Sequence, residues 1–189
     1  MKLILASNSP RRKQIMTDLG LEFEVVPSNY DEKLETDVFS YDLIEDLATQ
    51  KCLDVVRRSD KDSLVLAADT VVVLHNKILG KPKDKEDAFK MLKNLSGATH
   101  SVVTSICAIN TKLNRAALLS TTSYVRFTQW SDEMINDYIE KFNPLDKAGS
   151  YGIQELPDGY LDKYEGSFEN IVGLCPKAVE AVLKQLQLN

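Results

Sequence analysis

Residues 64 to 74, LVLAADTVVVL, constrain the fold more than any other stretch of the chain. Aliphatic and β-branched side chains fill the run, so it reads as buried strand. Asp69 and Thr70 stand in its middle. The pattern predicts strand, an interruption at this pair, then more strand and a turn. A carboxylate amid apolar neighbours is costly unless something pairs with it. Either a strand bulge ties Asp69 to backbone N–H groups, or Asp69 is a metal ligand or general base. The second reading is favoured, because strand ends that feed loops often carry catalytic groups.

The other elements follow from caps and periodicity. Residues 2 to 6 form a short buried strand. Ser9 then caps a helix with Pro10 in its first position, and Gly20 ends it. Residues 23 to 26 give a second short strand, and a polar stretch follows as loop. Ser40 caps a helix over about residues 41 to 58, with Ile44, Leu47, Ala48 and Val55 in its apolar stripe. Asp84 caps another, with Ala88, Met91, Leu92 and Leu95 on one face. Residues 100 to 109 and 116 to 127 pair as a long hairpin. A helix from Ser131 stops at Asn143-Pro144, a loop-rich stretch follows, and Pro176 opens the last helix. Interspersed helices and strands with one hairpin predict an α/β fold with a mixed sheet, in a single domain over residues 1 to 189.

Three more features break local rules, which is where function is worth seeking. Arg11 and Arg12 occupy the first turn of their helix, the end that disfavours cations. Both extend into water, or an anion sits at the helix start among backbone N–H groups, guanidinium forks and the hydroxyls of Ser7 and Ser9. Lys51 falls within an apolar stripe, so it snorkels or points into a charged cleft. Lys81 and Lys83 flank Pro82 after a strand, in a solvated turn or beside a ligand. No GxxxxGK[ST] phosphate loop is present.

Arg12, Lys51 and Lys81 are therefore candidate cations, and Asp69 and Glu32 candidate acids. Such a set suits a polyphosphate with a divalent metal, Mg²⁺ or Mn²⁺ rather than zinc. A net charge of -5 argues against a nucleic-acid partner. Three scattered cysteines without a CxxC read as free thiols of a reducing compartment. No apolar run approaches a membrane span, and the expected location is cytoplasmic.

Several blocks in order, "LASNSPRRKQI", "AADTVV", "GKPKDKEDAFKMLKNLSGATHSVVTSI", "DKAGSYGIQ" and "GSFENIVGL", resemble those of the Maf family of nucleoside triphosphate pyrophosphatases. The resemblance covers almost the whole length. It implies an inosine triphosphatase-like fold, a long central mixed sheet between two α/β lobes with a cleft between them. It also implies a metal-dependent homodimer that splits a nucleoside triphosphate into monophosphate and pyrophosphate. The family's phosphate and metal cluster maps to Ser7, Arg12, Glu32, Lys51, Asp69 and Lys81, with Asp69 as proton acceptor. Its specificity positions map to Arg11, Thr70 and Gln154. "AGSYGIQ" looks like the branch acting on dTTP and UTP. Two departures stand near the nucleoside side: Glu155 where that branch has glycine, and Cys175 between Leu174 and Pro176. The competing expectation is a non-catalytic nucleotide-binding regulator of septum formation and cell division.

Overall fold

In the computed structural model, residues 1 to 31 and 36 to 187 are described. Among these residues seven strands form one sheet in the order β2-β1-β3-β5-β6-β7, with β4 also on β3. β1 (Lys2–Leu5) runs parallel to both β2 (Glu24–Val25) and β3 (Ser63–Leu74). β4 (Lys77–Leu79), β5 (Thr99–Asn110), β6 (Arg115–Phe127) and β7 (Leu161–Glu165) all pair antiparallel. This is the mixed sheet expected. No helix among the described residues is long and apolar enough to cross a membrane.

β3 corrects the expected interruption. It runs unbroken through Asp69 and Thr70, which pair in regular register with Ser105 and Thr104 of β5. No bulge accommodates the carboxylate. The stretch read as loop also holds β7 and a short helix, α5 (Phe168–Val172). β7 is a mostly exposed edge strand without an apolar face, and α5 is too short to show helical periodicity.

α2 (Tyr41–Val56) covers one face of the sheet. Its Ala48, Cys52 and Val55 pack on Val65, Ala67 and Cys107, and its Ile44 and Leu47 on Val71, Val73 and Val103. The other face carries two separate cores. α1 (Pro10–Asp18) and α6 (Pro176–Gln187) pack on Leu64, Leu66, Ile106 and Ala108. α3 (Lys85–Leu95) and α4 (Asp132–Phe142) pack on Val72, Leu74, Val102 and Phe127.

Because side chains alternate across a strand, this division places a polar seam at one level of the sheet. On the two-core face, Leu64, Leu66 and Ala68 belong to the first core and Val72 and Leu74 to the second, with Thr70 between them. Its cross-strand neighbour Thr104 separates Val102 from Ile106 in the same way. On the α2 face Asp69 stands between Ala67 and Val71, in a row with Ser105 of β5 and Ser120 of β6. The two lobes thus meet along hydroxyls and one carboxylate, and a cleft opens there.

Candidate active site

The cleft has a volume of about 450 Å³, within the usual range for a small-molecule site. α2 and β3 supply its deepest pair. Lys51 is 8% exposed and Asp69 5%, and the Lys51 ammonium donates to Asp69 Oδ1. Lys51 reaches inward from α2 because Asp69 is there to compensate it, so the snorkelling alternative does not hold. No protein donor among the described residues meets Oδ2, which leaves that oxygen for a ligand. The α2 face of the seam is completed by Ser105, whose hydroxyl lies 2.8 Å from that of Ser120, which donates to Glu45 Oε1 at 2.7 Å.

Arg12 turns into the cleft from the start of α1. Ser9 caps that helix, its Oγ accepting from the Arg12 N–H at 3.4 Å. The guanidinium is oriented by acceptors on three segments. Its Nε donates to Gly173 O at 2.9 Å, Nη1 to Ser7 Oγ at 3.3 Å and Nη2 to Thr70 Oγ1 at 3.0 Å. Gly173 follows α5 with φ of 135°, a backbone region that favours glycine, and so directs its carbonyl at Arg12. Thr70 Oγ1 lies 2.9 Å from Thr104 Oγ1, which donates to Asn170 O at 3.1 Å. The guanidinium is therefore held inside the cleft by the protein's own acceptors.

Lys81 lies on the exposed loop after β4 and lines the same cleft. Arg11 also lines it, with a weak, exposed pairing to Asp146 at 3.9 Å. Gln154 sits at the rim, exposed, on a single 3₁₀ turn. Ser7, Arg11, Arg12, Lys51, Asp69, Thr70, Lys81 and Gln154, dispersed over the sequence, therefore all converge on one cavity. Glu32 lies outside the described residues.

Sequence reasoning missed the supports. Gly173, Thr104 and Asn170 position Arg12 through contacts between segments that only folding brings together. Lys147 and Tyr151 line the cleft as well, inside a block already singled out; a lysine between an acid and a small-residue turn was the available signal. Tyr151 OH lies 2.7 Å from Nε2 of buried His100, whose pKa burial pushes down to about 3.

The donor set for a metal is oxygen only: no histidine or cysteine among the described residues lines the cleft. No group of three His, Cys, Asp or Glu side chains occurs among those residues either. That suits a hard divalent cation held by one or two carboxylates, with phosphate oxygens of a substrate completing the shell.

A family model described as Maf-like protein matches residues 2–186. A dTTP/UTP pyrophosphatase of Clostridium perfringens (strain SM101 / Type A) is 44% identical over 177 residues, covering 92% of this chain and 91% of that protein. One of the same name from Clostridium beijerinckii is 39% identical over 190 residues, covering 99% of this chain and all of the relative (100%). Among solved structures, a HAM1 protein from Coxiella burnetii is similar with a TM-score of 0.50 at 14% identity, over 69% of this chain and 74% of that one. At that identity the likeness is one of fold.

Proposed function

The chain belongs to the Maf-like protein family, and from that premise we propose that it hydrolyses dTTP or UTP to the monophosphate and pyrophosphate. The observation that carries the reading is the convergence of Arg12, Lys81 and the buried Lys51–Asp69 pair on one cleft. The relatives' names supply the substrate class.

The triphosphate lies with its charge toward Arg12, Lys81 and the Arg11 N–H at the start of α1. Asp69 accepts a proton from a water that attacks the α-phosphorus. The new P–O bond forms as the bond to the bridging oxygen breaks, and that oxygen leaves with its electron pair on pyrophosphate. Arg12, held by Gly173, Ser7 and Thr70, meets charge developing on the phosphates without reorganising. Lys51 fixes the Asp69 carboxylate so that Oδ2 faces the cavity. Arg11 and Gln154 lie where the nucleoside is read. A divalent cation, Mg²⁺ or Mn²⁺, would be held by Asp69, and when bound it neutralises phosphate charge.

The test is product analysis with dTTP, UTP, CTP and GTP, with Mg²⁺, with Mn²⁺ and with chelator, in ¹⁸O-labelled water. Monophosphate carrying the label, together with unlabelled pyrophosphate, is expected for dTTP and UTP, with turnover lost in chelator. Diphosphate and orthophosphate as products would reject attack at the α-phosphorus. Tight binding with no turnover would favour the non-catalytic regulator. Light scattering checks the homodimer.

A further inference from the structure

Lys147 is a second buried lysine of the cleft, and the hydrolytic step does not use it. It is 8% exposed and lines the same cavity as Asp69. Its Nζ stands 3.0 Å from Asp146 Oδ1 and 3.3 Å from Glu155 Oε2. An ammonium has three N–H donors. One goes to Asp146 Oδ1, Glu155 Oε2 is a charge neighbour outside hydrogen-bonding geometry, and the other two have no acceptor among the described residues.

The chemistry of these donors follows from their neighbours. With two carboxylates beside the ammonium, a phosphate would meet repulsion, whereas a neutral carbonyl would meet a fixed, charge-assisted donor. Gly152 brings the polar groups together. A Cβ there would come within 3.0 Å of Gln154 Nε2 and 3.1 Å of Glu155 Oε2, so the bare α-carbon lets both side chains pack closely over it. The Gly152 N–H is itself held by Tyr138 OH at 3.1 Å. The corner therefore offers an ammonium N–H beside an adaptable amide.

We propose that Lys147 is a specificity-determining residue that donates to the C4 carbonyl of uracil or thymine, with Glu155 as its anchor. This rests on the pyrimidine triphosphate reading above. Cytosine carries an amine at that carbon, so two donors would face each other, and a buried donor left without its acceptor discriminates strongly.

The test compares kcat/KM for UTP and CTP in the unaltered protein, Lys147→Met, Lys147→Arg and Glu155→Gln, with folding checked by thermal melting. Lys147→Met keeps the stem and removes the donors, and the UTP-to-CTP ratio is expected to fall at least about tenfold. Lys147→Arg keeps a charged donor and should hold the ratio within about threefold, and Glu155→Gln should lower it by about threefold. An unchanged ratio in Lys147→Met overturns the proposal. So does an equal fall for both nucleotides, which would make Lys147 a phosphate ligand. Should Lys147→Met fail to fold, the unaltered protein is assayed with 4-thio-UTP and 2-thio-UTP. Sulfur at C4 should lower kcat/KM at least about fivefold relative to sulfur at C2, and equal values overturn the proposal. Absence of UTP and dTTP cleavage by the unaltered protein would instead remove the underlying activity.

Discussion

Lys51 of α2 and Asp69 of β3 form a buried ion pair at the level of the sheet where both apolar faces are interrupted. Each compensates the other's charge. An isolated charge would lie among the aliphatic side chains of two cores, whereas the pair leaves one carboxylate oxygen for the cleft. The same arrangement therefore serves packing and chemistry, and substitutions can separate the two.

Asp69→Asn preserves shape and removes the proton acceptor. Turnover of UTP should fall about 100-fold or more, in line with the usual contribution of a general base. Near-normal turnover in a folded variant would reject Asp69 as that base.

Lys51→Met strands a buried carboxylate and should destabilise the fold by about 3 to 5 kcal/mol. The double variant Lys51→Met/Asp69→Leu removes both charges and should recover most of that loss while remaining inactive. Urea unfolding of the set reads the recovery directly. Equal instability of the single and double variants would mean that the pair matters for shape rather than charge.

Arg12→Lys keeps the charge and loses the fork that Gly173, Ser7 and Thr70 orient. The expected loss in kcat/KM is about 10- to 100-fold, because lysine offers a point charge where a planar donor array is held. A loss under about twofold would show that only charge is needed at this position.

Much of this arrangement was legible in the sequence, and the rest was hidden for a physical reason. Ser9-Pro10, Ser40 and Asp84 announce helix starts through local hydrogen bonding, so they can be read without the fold. Asp69 and Lys51 stand out because a charge within an apolar pattern violates a local rule. Thr104, Ser105 and Ser120 violate nothing, since a hydroxyl is at home in a strand. Their role exists only through the register that aligns them with Asp69 and Thr70. The supposed break at Asp69 was wrong for a related reason. A strand tolerates a carboxylate without bulging when a helix on the same face brings the counter-charge. Gly173 and Lys147 depend on backbone direction and on partners brought near by folding.

Gly149 links the cleft wall to the second core. Its φ is +67°, its N–H donates to Gly80 O at 3.0 Å, and an added Cβ would lie 3.0 Å from three side-chain atoms of Val72. Gly149→Ala combines left-handed strain with overpacking, at about 1 to 3 kcal/mol. Tm should drop by about 2 to 4 °C for each kcal/mol. Because Gly80 precedes Lys81, KM for UTP should rise as well. An unchanged Tm would show that the wall yields without cost.

His100 makes stability depend on pH. It is 2% exposed, its Nε2 lies 2.7 Å from Tyr151 OH, its Nδ1 has no partner among the described residues, and burial holds its pKa down to about 3. The unfolded chain protonates this imidazole near pH 6.5, whereas the folded chain keeps it neutral. Above that pH both states are neutral and His100 has no effect. As pH falls below it, the unfolded state alone gains a proton, so stability declines by about 1.4 kcal/mol per pH unit until the folded pKa is reached. At pH 5 the cost is about 2 kcal/mol. His100→Gln cannot take up that proton, so the gap between its melting temperature and that of the unaltered protein should narrow or reverse from pH 7.5 to pH 5. Parallel pH profiles for the two proteins would show that His100 is protonated with little penalty, and that the packing of Tyr151 at the cleft wall does not depend on a neutral ring.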